Sequence, residues 1–412
     1  MNIAIEAFAL SLDRVTGIGN VVLNYINELQ RLDPDNRYFV YTPDALNHAR
    51  LDNPNWRHVM YDGAVKRASC SVRDSLVALR ENRTRAPGAG ISVRIALLRL
   101  SKMALELPDL VWFPLWMARS LRRNRIDVYF GNFADYFPPI FLSRLKKLWL
   151  IHDLVWKIYP ETLQKHGPLD YRLIRRNMMR ADLLLAVSDN TKKDIGELLG
   201  IRKEIITLHN AADRQVFYRA DPKSIARVKR KFGIKKQYIL SVCTLEPRKN
   251  LGTLLDAYGL MKSRDRHQLV LVGMSGWKNT GLFSLIEGHG AKDNIVITGY
   301  IDREDLAPLY TGAAVFVYPT LYEGFGLPVL EAMQCGCPVI SSTASSMPEV
   351  VGDAGVLVEP MDTKGLTASM ERVLADPAYR AALGRKGLAR AQNFSWERSA
   401  RRLLDIFRGD VR

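Results

Sequence analysis

The chain has 412 residues, 47% apolar and 25% charged, too long for one ordinary hydrophobic core and suited to two domains of about 200 residues each. That composition excludes a disordered chain and a membrane bundle. Its 59 Lys and Arg against 43 Asp and Glu leave a net charge of +16, which calls for an anionic partner such as nucleic acid, an anionic membrane face or a phosphorylated substrate.

The N-terminal MNIAIEAFAL has no basic leader and no cleavage site, so it reads as a first strand, Asn2 to Ala7, and not as a signal peptide; a cytoplasmic protein is expected. Gly17-Ile18-Gly19-Asn20 follows, ahead of a helix from about Val21. A G-x-G alone is weak evidence for a phosphate site and fits a flexible turn as well, although a strand end is a place from which Gly17 and Gly19 can face a cleft. Asp33-Pro34-Asp35 is the Asp-x-Asp match, and its position between a helix and a strand reads as a turn, so no metal is expected.

Between Lys66 and Arg125, 13 Lys and Arg stand against 4 Asp and Glu, a net of +9. Inside that stretch the apolar run Met103 to Ala118 is shorter than the ~20 residues of a spanning helix and carries Glu106, Pro108, Asp109 and Pro114. Trp112, Phe113 and Trp116 beside so many cations suit the interface of an anionic membrane, and they suit equally a buried helix pair with a solvated basic face.

Further strands are expected at Tyr38 to Tyr41, Val128 to Phe130, Leu148 to Ile151 and Leu183 to Val187. Asn132 and Asp135, in the loop GNFADYF, are weak candidates for an acceptor pocket. His152 and Asp153 follow the strand Leu148 to Ile151, where a histidine either donates to a substrate oxygen or packs as a structural residue. LHNAADRQVFYRADP, Leu208 to Pro222, reads as the interdomain connection. This gives a first domain at 1–210, a linker at 211–222, a second domain at 223–393 and a C-terminal helix at 394–412, with Ser395 as its N-cap.

The second half repeats the pattern, with strands at Tyr238 to Val242, Gln268 to Val272, Ile295 to Thr298, Val315 to Tyr318, Pro338 to Ser341 and Gly355 to Val358. Short apolar runs alternating with helical patterns are the sequence form of parallel sheets covered by helices, an α/β fold. In VCTLEPRKN, Arg248 and Lys249 stand at a strand's C-terminal end, where open α/β sheets bind ligands, and two cations there suit a diphosphate; a solvated basic pair is the plain alternative. In YPTLYEGFGLPVLEAMQCGCPVISS a strand ends, Gly324 and Gly326 form a loop and a helix starts near Pro328. Glycines admit a close ligand, and the helix start favours an anion. Glu323 and Glu331 border that loop, and a carboxylate accepts two sugar hydroxyls at once. Cys70, Cys243, Cys335 and Cys337 lack zinc-site spacing and read as core thiols.

Glu323-x7-Glu331 within EGFGLPVLEAM, the strand-end RKN and the two-sheet layout resemble the retaining GT-B glycosyltransferases of family 4, most of all the mannosyltransferase branch that builds bacterial polysaccharides such as the O-antigen of lipopolysaccharide. The resemblance implies two Rossmann-like domains facing a central cleft, the first binding acceptor and the second a nucleotide sugar, with the C-terminal helix crossing back to the first domain. It implies that Arg248 and Lys249 contact the donor's diphosphate, Glu331 the ribose, and Glu323 with the backbone of Phe325, Gly326 and Leu327 the donor sugar. Gly17 closes on the phosphates, His152 stands near the transferred sugar, and Gly299 and Tyr300 lie beside the base. Two departures stand out: Arg248 directly precedes Lys249, where many members carry the arginine several residues earlier, near Thr244, and Ala211 replaces a common linker glycine.

The implied reaction is metal-independent, cofactor-free transfer of a hexose, mannose from GDP-mannose first, to a growing glycan or a lipid-diphosphate-linked acceptor. Residues 66–125 would then dock on the anionic inner face of the cytoplasmic membrane. The rivals are a nucleotide-sugar epimerase or phosphorylase on the same fold and a basic nucleic-acid-binding protein, but no groove-reading or base-stacking motif is present and no nucleic-acid partner is expected.

Overall fold

The computed structural model describes residues 1–12, 16–61, 115–132, 144–162, 168–274 and 280–410. Strands β1 (Asn2–Glu6), β2 (Arg37–Thr42), β3 (Trp56–Met60), β4 (Val128–Gly131), β5 (Lys146–Ile151), β6 (Leu183–Ala186) and β7 (Ile205–Thr207) form one sheet in the order β3-β2-β1-β4-β5-β6-β7. Strands β8 (Gln237–Val242), β9 (His267–Val272), β10 (Ile295–Gly299), β11 (Val315–Tyr318), β12 (Val339–Ser342) and β13 (Val356–Val358) form a second, in the order β10-β9-β8-β11-β12-β13. The neighbours β1 and β2, β1 and β4, β8 and β9, and β8 and β11 run parallel. A parallel sheet is covered on both faces, so its inner strands are continuous apolar runs; β9 is buried at every residue.

All the strands expected from the sequence are present within a residue or two. The two that lack a sequence signal, β3 and β7, are the edges of the first sheet. Arg57 and His58 of β3 are exposed, so it has no apolar run to read, and β7 is only three residues long.

By packing, the chain divides into two compact units, Met1–Leu150 with Arg176–Leu183, and Ile151–Arg175 with Leu184–Arg412. In the first, Ala4, Phe39, Tyr41, Tyr61, Met117, Leu121 and Tyr129 form a continuous core. Trp116 packs its ring 6.0 Å from Tyr41 and 5.0 Å from Tyr61, which places the described end of the basic stretch against that core. The rest of the stretch up to residue 114, with Cys70, Trp112 and Phe113, lies outside the described residues.

One sequence expectation is corrected here. The helix after β1 runs Gly17–Leu32 and not from Val21: Thr16 is its N-cap, with Oγ1 accepting from the Gly19 amide at 3.1 Å. Gly17 and Gly19 therefore belong to the first helical turn, not to a loop ahead of it. Asp33 sits in a turn, as expected, and its carboxylate accepts from Tyr38 Oη at 2.5 Å and Asn36 Nδ2 at 2.7 Å.

Cys243, Cys335 and Cys337 are buried free thiols; burial pushes the Cys243 thiol up to about 12 and raises the other two as well, which keeps them unreactive. The C-terminal helix Trp396–Arg408 starts at the expected Ser395 cap and buries Trp396, Leu403, Leu404 and Phe407. Its Ser399 hydroxyl donates to the His209 carbonyl at 2.6 Å, tying it to the segment that follows β7. Among the described residues no helix is long and apolar enough to cross a membrane.

Candidate active site

In the second sheet the chain order reverses between β8 and β11. The crevice beyond the C-terminal ends of two such strands is where open α/β sheets bind ligands, because the connections there diverge. The candidate residues leave from those two strands.

After β8, Pro247 opens the turn Pro247–Lys249 and Asn250 closes it at φ 56°, a left-handed conformation that asparagine tolerates. Asn250 Nδ2 donates to the carbonyls of Pro319 at 3.0 Å and Pro360 at 2.6 Å, and the Leu321 amide donates to the Arg248 carbonyl at 2.9 Å. The two connections are thus joined by the Asn250 side chain and by one backbone bond.

Arg248 and Lys249 turn inward, with side chains only 12% and 9% exposed, so they are not a solvated pair. Both meet Glu323: Oε1 lies 2.6 Å from Lys249 Nζ and 3.0 Å from an Arg248 nitrogen, and it also accepts from Tyr318 Oη at 2.9 Å and Thr320 Oγ1 at 3.0 Å. Arg248 reaches Glu246 at 2.6 Å with its other nitrogen. The cations expected to await an anion are therefore already neutralised by two carboxylates. Burial raises the Glu323 carboxyl, but Arg248 and Lys249 outweigh it and hold it down at about 2. All four contacts fall on Oε1, so among the described residues Oε2 accepts no hydrogen bond.

Glu331, two turns along the chain, has a different environment. It lies on the helix Leu327–Gln334, and its Oε2 accepts from Tyr310 Oη at 3.0 Å. Burial raises its carboxyl to about 7, against smaller downward pulls from that hydrogen bond and from Arg303. Between the two acids, the amides of Gly324, Phe325, Gly326 and Leu327 make no hydrogen bond among the described residues. Gly326 stands at φ 99° as the cap before the helix, which leaves the helix N-terminus uncapped by any side chain. Four amides and a Glu323 oxygen unbonded among the described residues, a helix end and the Glu331 carboxylate form a site for a ligand that is anionic at one point and rich in hydroxyls at others.

His152 and Asp153 follow β5 and belong to the same compact unit. They lie directly on the loop: a β-carbon on Gly324 would run into the His152 carbonyl oxygen and lie 3.0 Å from the Asp153 β-carbon. Burial raises the Asp153 carboxyl, with Arg248 pulling against it. Tyr300 is 51% exposed and follows β10, two strands from β8. Gly17, Gly19 and Asn132 are in the first unit, where Asn132 follows β4 and is bonded to Glu6 at the end of β1: its amide donates to Glu6 Oε2 and its Nδ2 to the Glu6 carbonyl, both at 2.9 Å. Asp135 lies outside the described residues.

Sequence reasoning missed Glu246, Tyr318 and Tyr310, which hold Arg248, Glu323 and Glu331. Glu246 lies within the quoted motif and Tyr318 at the end of an expected strand, while Tyr310 carries no local signal. Elsewhere, Asp189, His209 and Glu349 bring one ligand-capable atom each within 4.8 Å of the others. Glu349 is already occupied there by the amides of Asp189 and Asn190 and by His209 Nε2 at 2.8, 3.1 and 2.7 Å.

Two parallel α/β sheets flanked by helices are the architecture of the GT-B glycosyltransferases. Residues 15–216 match the description Glycosyltransferase Family 4, and residues 223–390 match Glycosyl transferases group 1. The O-antigen chain mannosyltransferase B of Escherichia coli is 33% identical over 80% of this chain and 86% of its own length. A GDP-mannose-dependent monoacylated alpha-(1-6)-phosphatidylinositol monomannoside mannosyltransferase of Corynebacterium glutamicum is 28% identical over 72% of this chain and 80% of its own length. The sucrose-phosphate synthase of Thermosynechococcus elongatus superposes with a TM-score of 0.76 over 99% of this chain and 98% of that one, at 19% identity, and so bears on the fold alone. The chain belongs to glycosyltransferase family 4 and is a glycosyltransferase.

Proposed function

We propose that the protein transfers mannose from GDP-mannose, with retention of configuration, to a growing glycan or lipid-diphosphate-linked acceptor in bacterial surface polysaccharide synthesis. The observation that carries the donor site is the run of unbonded amides from Gly324 to Leu327 beside Glu323, whose Oε2 is open. The mannosyltransferase names of the two relatives support the sugar, and one of those names includes GDP-mannose.

In this reading Glu331 takes the ribose hydroxyls and Glu323 Oε2 a hydroxyl of the sugar, while Phe325, Gly326 and Leu327 offer their amides. The acceptor hydroxyl attacks the anomeric carbon from the face that the nucleotide leaves. The bond from that carbon to the diphosphate oxygen breaks, the new glycosidic bond forms, and the acceptor proton passes to the departing diphosphate. Arg248, Lys249 and the helix N-terminus stabilise the growing charge. No covalent intermediate is needed, and transfer is expected to survive chelation of divalent metals. Incubation with GDP-, UDP- and ADP-sugars, followed by determination of the anomeric configuration of the product, tests donor and stereochemistry together. A product that requires inorganic phosphate would make the protein a phosphorylase, and conversion of the nucleotide sugar without acceptor would make it an epimerase. We also propose that residues 66–125 dock the protein on the anionic inner membrane. Flotation with anionic liposomes at low salt tests this, and protein that stays at the bottom rejects it.

Glu331 gives a pH prediction. Its carboxyl titrates at about 7 without ligand, and two donating hydroxyls favour the charged form, so donor binding must release a proton wherever Glu331 is still protonated. The donor KM is expected to be flat above about pH 8 and to rise as pH falls through 7, approaching tenfold per unit on the acid side. Glu331→Gln should raise KM and abolish that slope. Identical acid slopes in the two proteins would remove Glu331 from the ribose.

A further inference from the structure

The loop that presents the amides contains two glycines in EGFGL, which leave its peptide planes freer to rotate than other residues would. The restraint comes from other segments. The hydroxyls of Ser188 and Thr191 both donate to the Gly324 carbonyl oxygen, at 2.5 and 3.0 Å. On the adjoining peptides, the Ser346 hydroxyl lies 3.0 Å from the Glu323 carbonyl and 2.9 Å from that of Phe325, shared between them. Ser188, Thr191 and Ser346 are all fully buried.

Because a trans peptide is planar, its C=O and the following N–H point in opposite directions. A carbonyl held on one side therefore aims the next amide to the other. The Gly324 carbonyl has both lone pairs filled by Ser188 and Thr191, and rotation of the Gly324–Phe325 peptide would break both bonds, leaving that carbonyl without these partners and the two hydroxyls, 3.1 Å apart, with only each other to donate to. Ser188 is itself fixed: its Oγ accepts from the Thr191 amide at 3.0 Å as the N-cap of the helix Asp189–Leu199. The helix is anchored a second time by Glu349, which takes the Asp189 and Asn190 amides, and a third time by Asp194, which accepts from Tyr322 Oη at 2.8 Å.

We infer that Ser188 and Thr191 are positioning residues for donor binding: through the Gly324 carbonyl they fix the direction in which the Phe325 amide is offered to the ligand. This rests on the reading of the 324–327 loop as the donor site. It assigns a function to a helix start some 135 residues upstream in sequence, whose S-x-x-T pattern serves two purposes at once, capping its own helix and holding another segment's backbone.

The test is calorimetric titration of the native protein and of Thr191→Val, Thr191→Ser and the double variant Ser188→Ala/Thr191→Val with GDP, UDP and ADP, with folding checked by circular dichroism. The double variant is expected to bind the preferred nucleotide about tenfold or more weakly, Thr191→Val about threefold, and Thr191→Ser within about twofold of native, since serine keeps the donor. A folded double variant with native affinity overturns the inference, and so does Thr191→Ser behaving like Thr191→Val. If the double variant does not fold, the comparison of valine with serine at 191 decides, because a purely structural hydroxyl would change stability and not the affinity of the folded fraction. Native protein that binds none of the three nucleotides defeats the donor-site reading and this inference with it; native binding with unmoved variants defeats this inference alone.

Discussion

Glu323→Gln is expected to lower transfer at least about tenfold, equivalent to ~1.4 kcal/mol in the barrier, while leaving nucleoside-diphosphate binding intact or tighter. The carboxylate is the common partner of Arg248 and Lys249, at 3.0 and 2.6 Å, and once it is neutralised Glu246 is the acid left in ion-pair contact with them among the described residues. Glutamine still accepts from Tyr318 and Thr320 but leaves one buried cation uncompensated, a change that costs about 3 kcal/mol of stability in comparable settings. A diphosphate relieves that excess charge, so GDP should raise the unfolding temperature of the variant by more than that of the native protein. The sugar has no such compensation, because the amide's NH2 would then stand where Oε2 stood as acceptor. Loss of rate with retained GDP binding assigns Glu323 to the sugar; loss of both would assign it to the nucleotide, and unchanged turnover would remove it from the site.

The same carboxyl sets an acid limit on stability. It titrates at about 2 in the folded protein against an ordinary 4.5, so its contribution is fully present above pH 4.5 and is lost as pH falls from there toward 2. Denaturation curves between those limits should be shallower for Glu323→Gln than for the native protein.

The C-terminal ends of β8 and β11, which carry the site, were legible because strands buried on both faces are largely apolar, and VCTLEPRKN and YPTLYEGFGLP each announce a strand end by a proline or glycine after such a run; the reversal of strand order between them was not, since no local pattern shows which strands pair. The edge strands β3 and β7 carry no such signature, since an edge tolerates Arg57 and His58 and needs few residues. Glu323, Arg248 and Lys249 were legible as charges at a strand end, but their mutual neutralisation was not: a sequence shows which ions are available and not which rotamers meet. Glu246, two positions before Arg248, is the plainest case. The helix Gly17–Leu32 starts four residues before Val21 because Thr16 caps it; that threonine stands in the sequence, but paired glycines resemble a loop more than a first helical turn. Ser188, Thr191 and Ser346 were beyond reach for another reason: a serine at a helix start reads as its own cap, and no local pattern shows that its remaining hydrogen is donated to a backbone far along the chain.

Gly324→Ala is expected to abolish transfer, by about a hundredfold or more, equivalent to ~2.7 kcal/mol in the barrier. The added methyl would overlap the His152 carbonyl oxygen and press on the Asp153 β-carbon. Both belong to the turn after β5, whose Asp153 Oδ1 accepts from the Val155 amide at 3.1 Å and whose Leu154 amide reaches Tyr322 Oη at 3.4 Å. Neither side can yield without losing bonds: the loop is held by Ser188, Thr191 and Ser346, and the turn by Tyr322, which is bonded in turn to Asp194. The expected result is a displaced loop, with weaker GDP binding and a lowered unfolding temperature. Since the obstacle is the backbone of His152 and not its ring, adding His152→Ala should not restore activity. Rescue by that second substitution would mean that the ring is what the methyl strikes, and an active Gly324→Ala would show that the loop's close approach to the His152 turn is not required for donor binding.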